Sequence, residues 1–181
     1  MDTLGIVESR SIAAGVELAD IMMKGADVEL VRASTICSGR YMIFVSGNRA
    51  SVQTSVELAR ESNRSLAGSF ILSNVSGQVM TALKKATMAE EGAIGIIECR
   101  KASFGVAAAD CAVKQASVNI IRLVTGQGIN GKSYFVINGD IASVTEATDA
   151  AKKMLGKSLI DAVVLPSPND SVLKAITNRN L

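Results

Sequence analysis

The sequence predicts an α/β (α+β) protein built from two similar domains in tandem, and three observations carry that prediction. First, the chain repeats itself: Leu4–Arg32 and Ile94–Arg122 align without a gap at an offset of 90, with 12 identities in 29 positions, where chance gives about two on typical composition. Second, in both copies short apolar runs alternate with stretches whose apolar residues recur at steps of three and four, the mark of strands and amphipathic helices. Third, 48% of the 181 residues are apolar but only 3% are aromatic, with no Trp. That composition suits small cores of Val, Ile, Leu, Ala and Met.

Taken in order, Leu4–Glu8 and Ile94–Glu98 read as opening strands. A helix follows in each copy, placing Ile12, Val16, Ala19, Met23 and Ala26 on one face, and Ala102, Val106, Ala109, Val113 and Ala116 on its twin. Two strands come next, near Val28–Thr35 and Tyr41–Ser46, then near Ile120–Thr125 and Tyr134–Asn138. The match between copies resumes here at an offset of 92, aligning Gly39–Val45 with Gly131–Ile137. The second copy therefore carries two extra residues between Thr125 and Gly131. A second helix begins near Ala50 and Ile141. A fourth strand, Ser69–Leu72 or Ala162–Leu165, and a short last helix complete each unit. Each half is β-α-β-β-α-β-α, a small sheet that buries one face against helices. The polar stretch Lys84–Gly92 reads as the linker, dividing the chain into domains 1–88 and 89–181. Two such halves side by side form a pseudo-twofold object suited to ring assembly.

Several functions are disfavoured. The 19 basic and 17 acidic residues give a formal charge of +2, no reason to expect nucleic acid or an acidic membrane as partner. No apolar run approaches the roughly 18 residues of a membrane span. The opening MDTLGIVES shows no basic segment before an apolar stretch, so no secretory signal is expected. The three cysteines, Cys37, Cys99 and Cys111, are odd in number and lack CxxC spacing, which reads as free thiols in a reducing cytoplasm. With no histidine, a Ser-His-Asp or Cys-His arrangement is impossible, and no enzyme site is expected. Gly126–Ser133, GQGINGKS, satisfies the phosphate-loop pattern G-x-x-x-x-G-K-S. That chemistry needs a helix immediately afterwards, whose amides and dipole face the phosphates. Here Tyr-Phe-Val-Ile-Asn-Gly-Asp follows, a strand ending in a turn, so nucleotide hydrolysis is not expected.

LGIVES with DIMMKGADV, and IGIIEC with DCAVKQASV, resemble the opening strand and first helix of the bacterial microcompartment shell-protein family in its tandem-domain form. The likeness covers nearly the whole chain, in the family's ordinary, non-permuted strand order, and TICSG brings it closest to the propanediol-utilisation type. The resemblance implies two tandem BMC domains, each with a four-stranded, mainly antiparallel sheet. It also implies a homotrimer that mimics a hexamer, joined with other shell proteins in the shell around encapsulated enzymes, redox enzymes among them, in the cytoplasm. The loop between second and third strands would line a central pore. Cys37 occupies that loop, so three copies would hold one 4Fe–4S cluster able to carry electrons across the shell, a chemistry that rests on cysteine thiolates. The alternative is a loop thiol beside an open, metal-free pore passing small polar metabolites.

On this reading Ser38, Gly39, Gly126, Gln127, Gly128, Ile129, Asn130 and Gly131 line the pore, with glycines that let backbone approach a ligand and amides free to bond cluster sulfurs or a passing anion. The two extra residues would break sixfold pseudo-symmetry there. Lys24 and Lys114 would lie at tile edges, although each is also spaced i, i+4 from an aspartate. Where the family often carries an arginine after the fourth strand, this chain has Ser73-Asn74-Val75-Ser76 and Pro166-Ser167-Pro168-Asn169. That departure implies a minor tile set among other shell proteins. Cys99 and Cys111 read as small apolar fillers. Glu8 and Glu98, duplicated at matching positions, read as structural.

Overall fold

The computed structural model describes residues 3–85, 87 and 91–177. The expected division between 88 and 89, and most of the centre of the linker, lie outside the described residues. Among the described residues, eight strands and six α-helices follow in chain order: β1 (Thr3–Ser9), α1 (Ile12–Gly25), β2 (Glu29–Ile36), β3 (Arg40–Gly47), α2 (Arg49–Glu61), β4 (Leu66–Leu72) and α3 (Gly77–Lys84), then β5 (Ala93–Cys99), α4 (Ala102–Gln115), β6 (Asn119–Thr125), β7 (Ser133–Gly139), α5 (Ile141–Leu155), β8 (Leu159–Leu165) and α6 (Asp170–Thr177). The sheets have the orders β2-β3-β1-β4 and β6-β7-β5-β8, and every pairing is antiparallel. Equal order from two copies is what the sequence repeat requires.

Packing divides the chain differently from sequence. One compact unit holds the described residues up to Val75 together with Gly126–Gly131; the other holds Ser76–Thr125 and the described residues from Lys132 onward.

In the first unit, Val7, Ile43 and Val45 of the sheet pack with Leu18 and Met22 of α1 and Val52, Val56 and Ala59 of α2. Ser11 caps α1 by accepting from the Ala14 amide, and Asn48 caps α2 by accepting from Ser51, satisfying donors a helix start leaves open. The expected face of α1 is corrected by one residue. Its buried stripe is Gly15, Leu18 and Met22, while Ile12 and Val16 are exposed. One residue turns the helix about 100°. The cause is Tyr41 of β3, which lies where a Gly15 side chain would project. The helix therefore seats Gly15 against Tyr41, with Leu18 and Met22 buried on the same face.

In the second unit the expected face of α4 is buried at Ala102, Val106 and Ala109, and the rotated stripe of Gly105, Ala108 and Ala112 is buried too. Here α3 packs on β6 and α4. Gln78 of α3 binds β6 as an added strand would: its Nε2 donates to Val118 O at 3.0 Å and its Oε1 accepts from Ile120 N at 2.9 Å. The Ser76 amide, just ahead of α3, donates to Asp110 Oδ1 at 2.7 Å. Leu173 and Ile176 of α6 cover Ile94, Ile121 and Val136. Among the described residues no helix is long and apolar enough to cross a membrane.

Candidate functional site

Cys37 opens a 3-10 turn, Cys37–Gly39, between β2 and β3. Ser38 and Gly39 both take positive φ, 70° and 68°, so the chain reverses within three residues and leaves the thiol on the outside of the turn. Cys37 is half-buried.

The segment Gly126–Gly131 lies against this turn within the first unit. It folds back tightly, with positive φ at Gly126, Gly128, Asn130 and Gly131, a region glycine enters at little cost and Asn tolerates. Cys37 N donates to Gly126 O at 3.1 Å, Ser38 Oγ to Asn130 Oδ1 at 3.0 Å, and Arg32 Nη2 to Gln127 Oε1 at 2.9 Å. Gly126 sits so close to Ile36 that a side chain there would meet Ile36 Cβ at 2.8 Å. These contacts settle the segment's placement.

The result places loop amides beside one sulfur. Gly128 N donates to Cys37 Sγ at 3.1 Å. Hydrogen bonding from the Asn130 amide holds the thiol below its ordinary pKa; desolvation opposes this, and the amides of Gly128, Ile129 and Gly131 reinforce it. Amides placed in this way favour the charged form of the thiol over the neutral one. The segment matches the phosphate-loop pattern in sequence, but β7 follows it rather than a helix.

Behind the turn, Arg40 Nη1 donates to Glu8 Oε1. The Glu8 side chain is 2% exposed and that of Arg40 23%, whereas the equivalent pair in the second copy, Lys132 and Glu98, is 42% and 37% exposed. Both glutamates are thus ion-pair partners, which the duplication hinted at without naming the bases.

The structure therefore brings together Cys37, Ser38, Gly39 and Gly126–Gly131. Lys24 and Lys114 are elsewhere, in the last turns of α1 and α4. Lys24 is exposed and bonds the exposed Asp20 at 2.7 Å; Lys114 bonds Asp110 at 2.5 Å, whose side chain is only 8% exposed. Cys99 is buried at the end of β5, donating to Lys101 O at 2.9 Å, and burial pushes its thiol pKa up. Cys111 is half-buried in α4.

A soft thiolate donor with amides aimed at its sulfur fits iron–sulfur ligation. Among the described residues no group of three or more His, Cys, Asp or Glu gathers in one chain. A cluster held here would draw its thiolates from several copies.

A tandem pair of four-stranded domains with unlike loops at the same sheet corner defines the class. The BMC-domain model matches residues 3–86 and 93–168, and the chain belongs to that family as a two-domain, non-permuted member. It is 33% identical to the bacterial microcompartment shell protein PduT of Citrobacter freundii, over 93% of this chain and 94% of that one. It is 29% identical to the carboxysome assembly protein CcmO of Synechococcus elongatus, over 96% of this chain and 68% of the relative. Among solved structures, a microcompartment protein from Desulfitobacterium hafniense superposes with a TM-score of 0.88 at 38% identity, covering 95% of this chain and 98% of that one. These relatives are shell and assembly proteins rather than enzymes.

Proposed function

We propose that the chain is a shell tile of a bacterial microcompartment in the cytoplasm. It works as a homotrimer whose six domains mimic a hexamer, with Cys37 of three copies holding a 4Fe–4S cluster at the central pore. The observation that carries the metal reading is the Gly128 amide donating to Cys37 Sγ at 3.1 Å, in a loop whose neighbouring amides also lower the thiol's pKa. A half-buried thiol with no chemical duty needs no such cradle. Amides directed at sulfur keep the ligand deprotonated, and hydrogen bonds to sulfur are one of a protein's levers on cluster potential.

When bound, the cluster would supply one-electron transfer. The chain would supply Cys37 as ligand, the amides that stabilise its charge, and the Ser38, Gly39 and Gly126–Gly131 backbone as rim. Neighbouring shell proteins would surround the tile, and encapsulated redox enzymes would exchange electrons with it. Three thiolates leave one iron of a four-iron cluster for another ligand.

Anaerobic reconstitution followed by iron and sulfide analysis and EPR tests this. The expected result is about four irons per trimer in the wild type and none in Cys37→Ser, with the trimer mass unchanged. A wild type that binds no iron leaves a tile with an open pore for small polar metabolites. A stable monomer in solution would remove both pore readings.

A further inference from the structure

The strongest unassigned feature is the buried ion pair behind the thiolate. Glu8 lies near the end of β1, the strand paired to both β3 and β4, opposite Met42 and Gly68. Its carboxylate is out of solvent and takes the Arg40 guanidinium through Nη1. The other fork of the same guanidinium, Nη2, occupies the space a Gly131 side chain would fill. Gly131, with φ +74°, is the last residue of the amide segment. One planar group thus joins the sheet centre on one side to the end of the loop on the other. A flat, two-pronged cation can do this; the single ammonium of a lysine cannot.

The twin position supplies an internal comparison. Lys132 and Glu98 pair at 3.0 Å, half in solvent. The duplicated pair carries arginine, with its glutamate buried, only in the copy that holds Cys37.

We propose that Arg40, held by Glu8, is a positioning residue that fixes Gly126–Gly131 so that its amides face Cys37 Sγ. The proposal rests on Cys37 as cluster ligand only for its consequence at the metal. Ser38 and Arg32 hold Asn130 and Gln127, and Arg40 holds the end leading back into β7.

Hydrogen exchange of the metal-free, full-length protein, read by mass spectrometry, tests the brace without the cluster. Arg40→Lys keeps the charge but loses the second prong. Losing the packing of that prong against Gly131 is expected to speed exchange of the 126–131 segment several-fold, with α1, α2 and the β1–β3 ladder unchanged. Glu8→Gln is the second variant. It keeps the shape of the side chain but removes the carboxylate charge that holds the Arg40 guanidinium, and should accelerate the same segment. After reconstitution, both variants should keep their iron and show a lower midpoint potential, because hydrogen bonds to sulfur stabilise the reduced state.

Segment exchange unchanged in both variants, or raised equally everywhere in both, would overturn the proposal. So would accelerated exchange with an unmoved potential in a loaded protein, since the loop would then not govern the sulfur. A wild type without iron ends the cluster reading, and the exchange rates of the 126–131 segment then decide the brace alone.

Discussion

Asp20 and Asp110 occupy the same place in the repeat, each four residues before a lysine, yet their removal should cost very different amounts. Asp20 and Lys24 are exposed, with side chains 59% and 75% accessible. Such an i, i+4 pair is worth about 0.2–0.5 kcal/mol. Asp110 is 6% exposed and accepts twice, from the Ser76 amide at 2.7 Å and from Lys114 at 2.5 Å. A hydrogen bond to a charged group contributes about 1.5–3 kcal/mol, and stranding a buried donor costs a further 1–3. Asp110→Ala should therefore destabilise by about 3 kcal/mol, and Asp20→Ala by no more than about 0.5. Asp110→Asn keeps an acceptor for Ser76 N but loses the charge, and should fall between them. Urea unfolding at one fixed protein concentration is the assay, because assembly makes apparent stability concentration-dependent. Hydrogen exchange should show α3 opening first in Asp110→Ala, since Asp110 holds the turn that starts it. Equal losses in the two alanine variants, within about 0.5 kcal/mol, would refute the claim that burial separates two residues at the same position of the repeat.

In the metal-free protein, Cys37 should react with iodoacetamide at a pH below the ordinary thiol range of about 8.5, while Cys99 stays inert until unfolding. Because the folded pKa of Cys37 is depressed, its stabilising effect is present above the unfolded pKa and is lost as pH falls through the folded one; urea midpoints of wild type and Cys37→Ser should converge in that direction. Gly15→Ala should destabilise by about 1–3 kcal/mol despite alanine's better helix propensity, because the methyl meets Tyr41 in a packed core; calorimetry would show it. Lys24→Ala should leave tile stability within about 0.5 kcal/mol yet reduce sheet or shell assembly in light scattering and negative-stain microscopy.

The element order and both sheets are legible in the sequence because duplication lets each half check the other: a strand read from LGIVES gains weight from IGIIEC. The stripe of α1 comes out one residue off because apolar residues lie at helical spacing on two neighbouring faces, one with Ile12, Val16 and Met23 and one with Leu18 and Met22, and what chooses between them, the approach of Tyr41 to Gly15, depends on β3. The loop residues are legible as a group, since TICSG and the two-residue insertion mark the same corner. Their joint action on one sulfur is not, because Cys37 and Gly128 are 91 residues apart. Glu8 and Glu98 show duplication but not their partners. The signal is present in Arg40 and Lys132, aligned by the offset of 92, and emerges on asking which bases recur with the acids. No periodicity announces that α3 packs on β6; that follows from Gln78 meeting the open backbone of Val118 and Ile120.

The loop's phosphate-loop pattern and its packing around a thiolate have one physical cause. Glycines at positive φ turn consecutive amides to one side, and amides so turned favour negative charge whatever its source. In a nucleotide site the ligand brings the charge, and a following helix adds its dipole. Here a strand follows, and the anion is a side chain of the same polypeptide. The arrangement needs two unlike sequences at one corner: a turn that presents sulfur, and a longer loop that presents amides. A ring of single-domain subunits has one sequence for that corner and would repeat either sulfur or amides at every position. Duplication removes the restriction, because the first copy can keep the cysteine turn while the second gains two residues. On that reasoning the insertion between Thr125 and Gly131 is what brings amides to the Cys37 sulfur, and the tandem architecture is what allows it.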